Sequence, residues 1–194
     1  MNIISHRLLT FILITCSLWL VIPSVSLADA EHDHSHQHGA HVHGVGVLNW
    51  IMDGEIVQIS LQSPAINMLG FEHAPSSEDE LQHLRLMLDN LNDMAKIVQF
   101  TGGECELLSS NITNPFKKTL QLDNHEEGSS NQVIHAEITA EYQFQCQQPS
   151  QLKTINIKLF DTFSGFERID SQWIVDGKQG GATLNHHSHL LKVH

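Results

Sequence analysis

Basic side chains are scarce: ten Lys and Arg stand against 22 Asp and Glu, a formal charge of −12 with His neutral. Such a surface repels nucleic acid and anionic membranes and attracts cations, and no basic cluster suggests DNA or RNA as a partner. Cysteine is equally sparse, at three. That excludes the cysteine-rich scaffolds and the paired thiolate motifs of zinc fingers. There is no glycine-rich phosphate loop, no Gly-x-Ser-x-Gly elbow and no His-Glu-x-x-His, so the sequence announces neither nucleotide chemistry, a serine hydrolase nor a zinc hydrolase. The protein reads as a non-enzyme. Beyond the first residues no apolar run is long enough for a membrane span.

The first 28 residues carry the layout of a secretory signal peptide: Arg7, an apolar Leu8–Ile22, and small residues at Ser26-Leu27-Ala28. Pro23 and the short apolar run disfavour an uncleaved anchor, so stable membrane insertion is not expected after cleavage. Removal leaves 166 residues, enough for one domain with a real core, and nine basic residues against 22 acidic ones. It also removes Cys16. The remaining pair, Cys105 and Cys146, reads as a disulfide in an exported chain. The rival reading, a pair of metal thiolates, lacks any ligand-spaced neighbour.

Histidine is what the chain has in excess: 15 residues, six of them between Glu31 and Gly44. His32, His34, His36, His38, His41 and His43 are interleaved with Asp33 and small residues. Neutral imidazole is a borderline-soft nitrogen donor suited to zinc, copper and nickel, and short His-rich tracts point to metal binding. A second cluster, His186, His187 and His189, closes the chain as an auxiliary metal-binding candidate.

Between these tracts the pattern predicts strands. Val45–Ile51 and Val57–Leu61 flank Asp53-Gly54, a strong hairpin signal, and place His41 and His43 at the start of the first strand on one face. Ser77 with Glu80 forms a capping box opening a helix whose Leu81, Leu84, Leu88 and Leu91 recur at helical spacing. Asn92 is expected to cap a second short helix running to Gln99, with Met87 and Met94 as core filling. Gly102-Gly103 breaks it before a strand around Cys105–Ile112, and Asn114–Asn131 reads as an exposed loop. Val133–Gln145 alternates cleanly and puts Cys146 on the core face. Further strands are expected at Ile155–Leu159, Glu167–Val175 and Gly181–Leu184. His83 and His135 read as surface histidines. The fold expected is α+β: a single domain, mostly antiparallel β-sheet, with one or two packed helices and one disulfide. Its parts are the signal peptide (1–28), a His-rich segment (29–40), a zinc-binding domain (41–184) and a His-rich C-terminal tail (185–194).

Three pieces carry a family resemblance: His38-Gly-Ala-His-Val-His-Gly44; Ser63-Pro64 followed by Asn67-Met-Leu-Gly-Phe-Glu-His-Ala-Pro75; and Glu141-Tyr-Gln-Phe-Gln-Cys146 with Leu159-Phe160 beyond. Together they resemble the ZrgA-like family of zinc-regulated bacterial periplasmic proteins, over about residues 38–184. The resemblance implies a periplasmic, Gram-negative protein that captures Zn2+ and supports its uptake, with a zinc transporter of the inner or outer membrane as partner. His38, His41, His43, Glu72 and His73 occupy the family's motif positions. Glu72 and His73 are adjacent, so an extended backbone sends them opposite ways, and His73 is the better candidate to approach His41 and His43. The long acidic and His-rich loop of many relatives is reduced here to Asp123, His125, Glu126 and Glu127, and the terminal histidines are not part of the carried-over set. The competing readings are a β-rich periplasmic adaptor with incidental metal binding and a nickel or copper protein, since imidazole alone does not choose zinc.

Overall fold

A computed structural model describes residues 42–117 and 136–193. The N-terminal His-rich segment through His41, and His125, His135 and His194, lie outside the described residues.

The hairpin forms as its pattern requires. Strand β1 (Val45–Asp53) and strand β2 (Ile56–Pro64) pair antiparallel, with Trp50 opposite Ile59, around Gly54 at φ +58. Burial alternates along both strands: Leu48, Trp50 and Met52 of β1 and Val57, Ile59 and Leu61 of β2 point inward. That alternation is the signature of a sheet with one face in the core and one in water. A short helix α1 (Ile66–Leu69) follows and is closed by Gly70 at φ +84, the left-handed conformation that suits glycine at a helix end.

Helix α2 (Glu78–Asn92) starts where the capping residues place it. The Ser77 hydroxyl accepts the Glu80 amide, and Glu78, Asp79 and Glu80 line the first turn. Its buried positions are Leu84, Met87 and Leu91, so Met87 does fill the core, while His83 is exposed. The next segment departs from expectation. Asp93, not Asn92, caps helix α3 (Met94–Ile97), and the chain becomes strand β3 (Val98–Thr101) where helix was expected to Gln99. Val98 and Phe100 pair with Ile157 and Ile155 of strand β6 (Thr154–Ile157), so a tertiary pairing overrides local helical periodicity.

Strands β4 (Cys105–Thr113) and β5 (Glu137–Cys146) run antiparallel, and Cys105 lies opposite Cys146, to which it is disulfide-bonded. Strand β5 buries Ile138, Ala140, Tyr142, Phe144 and Cys146, the face its alternation predicts. Of the loop expected after Asn114, the first residues are not simply exposed: Phe116 is buried against Phe71. Helix α4 (Leu159–Thr162) occupies the connection before strand β7 (Arg168–Val175), which turns at Gly177 into strand β8 (Lys178–Leu184).

The result is a six-stranded sheet of order β4-β5-β2-β1-β7-β8 and a three-stranded sheet of order β3-β6-β9, where β9 is Leu190–Lys192. All pairings are antiparallel except β1 with β7. The helices, the second sheet and the inner face of the first share one hydrophobic core. The α+β, mostly antiparallel, disulfide-bonded domain therefore stands. The C-terminal histidine stretch is folded into it: β9 pairs with β6, and Leu191 and Val193 are buried.

Candidate functional site

His43 is the one histidine of the N-terminal tract among the described residues. It precedes β1 and occupies a turn, not the strand start expected from the hairpin pattern. The Val45 amide donates to the Val42 carbonyl at 3.0 Å, and Gly44 sits at φ +82. A positive φ at the third position is what a type II turn demands, which leaves His43 on its outer corner. The backbone is pinned there although the ring is exposed. The Gly44 carbonyl accepts from the Glu167 and Arg168 amides at 2.8 and 2.9 Å, and its amide donates to Asn67 Oδ1 at 2.7 Å.

The residue that reaches His43 is Glu72. Its Oε2 lies 3.5 Å from His43 Nε2. His73, the expected partner, turns the other way, with Nε2 3.6 Å from Glu80 Oε1 on α2 and its ring stacked on Phe71. The adjacent Glu72 and His73 thus serve different neighbours. Glu80 is held by more than His73: the Ser76 amide and hydroxyl donate to its Oε2 at 2.7 and 2.9 Å, and these bonds hold its pKa below the ordinary carboxylate value.

At the other end of the chain, Asn185 Oδ1 accepts the His187 and Ser188 amides and fixes a tight turn. His186 Nε2 is 3.1 Å from the Phe166 carbonyl, and the rings of His186 and His189 both lie beside Phe160, at 5.2 and 6.2 Å. His189 Nδ1 is buried and has no hydrogen-bond partner, while His187 is exposed. The nearby Asp161 carboxyl is held below its usual range, first by its hydrogen bond to Lys158 and then by the positive charge of Lys158.

Among the described residues, no three His, Cys, Asp or Glu side chains come together closely enough to hold a metal ion. The structure thus joins His43 with Glu72, and His186 with His189 beside one ring, but leaves His73 apart from both. His32, His34, His36, His38 and His41 lie outside the described residues.

A family model described as ZrgA family zinc uptake protein matches residues 40–193. The chain belongs to that family. No curated protein matches it. Family membership associates the protein with zinc and with its uptake. Among the described residues no helix is long and apolar enough to cross a membrane. Three residues around His43 and His73 were not foreseen from sequence as part of this arrangement: Asn67, Glu80 and Glu167. Asn67 lies within the quoted motif, and Glu80 was read only as half of a capping box. Glu167 carried no signal, because its proximity to Gly44 arises from the β1–β7 pairing.

Proposed function

We propose that the protein captures zinc in the periplasm through histidine side chains and supports delivery to a zinc transporter. The observation that carries this reading is the His43–Glu72 pair, an imidazole on a pinned turn and a carboxylate that reaches it. Nitrogen and oxygen donors of this kind suit zinc, which takes four ligands in a closed site. His38 and His41, close in sequence, are the natural further ligands. His73 stands by as an outer group held by Glu80, and His32, His34 and His36 act as a low-affinity collector. His186, His187 and His189 supply auxiliary binding. The protein is a carrier and not a catalyst: zinc is its cargo, and none of the hydrolase motifs accompanies the histidines.

The test is zinc calorimetry on the chain from residue 29 onward, beside a variant lacking residues 31–37 and a His41→Ala/His43→Ala variant. Tight binding that survives the deletion and vanishes in the double variant is the expected result. Loss of all binding on deletion would overturn the folded site and leave a domain that merely carries a His-rich segment. Retention of zinc at pH 5 would argue against imidazole ligation, because protonated imidazole cannot bind a metal.

A further inference from the structure

We propose that Asn67 is the positioning residue that sets His43 against Glu72. The inference rests on the reading of His43 as a zinc ligand and adds how the fold presents it.

Asn67 is 3% exposed, and its amide is spent almost wholly on the turn that carries His43. Oδ1 accepts the Gly44 amide at 2.7 Å, and Nδ2 donates to the Val45 carbonyl at 3.0 Å and to Ser63 Oγ at 3.0 Å. A backbone N–H needs an acceptor and a backbone carbonyl a donor, so these partners fix which end of the amide is oxygen. No other uncharged side chain of this length supplies both. The clamp grips the two residues immediately after His43, and the Glu167 and Arg168 amides hold the Gly44 carbonyl from the far side. Gly44 is buried, so releasing its amide would leave an unpaired polar group and force the turn to rearrange.

The same short element carries the carboxylate. Asn67 lies in α1, Gly70 redirects the chain at φ +84, and Glu72 follows two residues later. One segment thereby holds the backbone of His43 and delivers the group that meets its ring. Gly165 lets the connection before β7 press against the Asn67 backbone, since a Cβ there would collide with the Asn67 carbonyl. The segment is held from both sides.

The experiment compares zinc affinity, read by competition with a chromophoric chelator, in wild type, Asn67→Ala, His43→Ala and the double variant. Loss of a group that orients a metal ligand typically weakens binding about 10–100-fold. Asn67→Ala should fall in that range against wild type, and the double variant should bind no more weakly than His43→Ala. If Asn67→Ala weakens binding equally in both backgrounds, it acts on the fold at large and the inference fails. If His43→Ala weakens binding and Asn67→Ala does not, this inference fails alone. If His43→Ala changes nothing, the ligand reading falls and takes this one with it. Should Asn67→Ala not fold, Ser63→Ala removes one anchor of the amide without touching the turn. Its smaller loss must likewise disappear in the His43→Ala background, and persistence of the loss there would overturn the proposal.

Discussion

Glu72 places a carboxylate oxygen 3.5 Å from the Nε2 of His43, joining the segment after α1 to the turn before β1. The His43 side chain is 62% exposed and that of Glu72 26%. A contact so open to water contributes at most about 1 kcal/mol to stability, so stability does not account for the pairing. His43→Ala and Glu72→Ala should each shift unfolding free energy by less than about 0.5 kcal/mol, as surface changes do. Each should nevertheless weaken the tightest zinc site. Urea unfolding alongside chelator competition separates the two effects. A loss of stability without a loss of affinity would make the pair structural.

Tyr142 tests the core. Its hydroxyl donates to the Leu91 carbonyl at 2.8 Å, and burial raises its pKa well above the ordinary phenol value. Leu91 is in the last turn of α2, where carbonyls lack helical partners and need donors from elsewhere. Tyr142→Phe keeps the ring and strands that carbonyl. The expected cost is about 1–3 kcal/mol, read as a lower urea midpoint with unchanged slope. A neutral result would mean that water reaches the end of the helix.

Local rules made most of the fold legible. Alternation located β2 and β5 because each has one wet face, Asp53-Gly54 placed the turn that brings β1 against β2, and Ser77 marked the start of α2 through its own hydroxyl. The failures share one cause. Val98 and Gln99 read as helix locally and become strand because Val98 and its neighbour Phe100 find Ile157 and Ile155 more than fifty residues away. The parallel pairing of β1 with β7 likewise has no local signal, and it brings Glu167 beside Gly44. For the site, extended geometry foretold that Glu72 and His73 diverge. Which of the two meets His43 was not legible, because α1 and its Gly70 cap set the direction of the segment. Fusion of the C-terminal stretch into the second sheet was hidden by its histidines, although Leu191 and Val193 supply the burial.

The disulfide offers a third test. Cys105 and Cys146 close a loop of 41 residues between the edge strand β4 and β5. In the chain-entropy model a loop of that length is worth about 4 kcal/mol, a large part of the stability of a single domain. Strand β4 also exposes Leu107 and Leu108, and its register shifts between Leu107 and Ser109, so the bond secures a strand with few buried side chains. Cys105→Ser/Cys146→Ser should lower the urea midpoint substantially and speed hydrogen exchange first along β4. Uniform exchange across all strands would show that the bond secures the whole domain and not its edge.

Glu80 predicts a pH dependence whose sign follows from its environment. Donation from the Ser76 amide and hydroxyl stabilises the charged carboxylate, and His73 adds a smaller effect, so the folded pKa lies below the ordinary carboxylate value of 4.5. A group depressed on folding contributes stability above its unfolded pKa and loses it as pH falls through the folded one. The contribution should therefore be intact near neutrality and decline only below about pH 4.5. Glu80→Gln removes the charge at every pH. The difference in unfolding midpoint between wild type and Glu80→Gln should shrink steadily as pH falls below 4.5. Ser77→Ala supplies the contrast, because its hydroxyl caps the helix without titrating: it should cost about 1 kcal/mol at every pH. A Glu80→Gln difference as flat as that of Ser77→Ala would mean that Ser76 donates to a carboxyl indifferent to its own charge, and the linkage would be refuted.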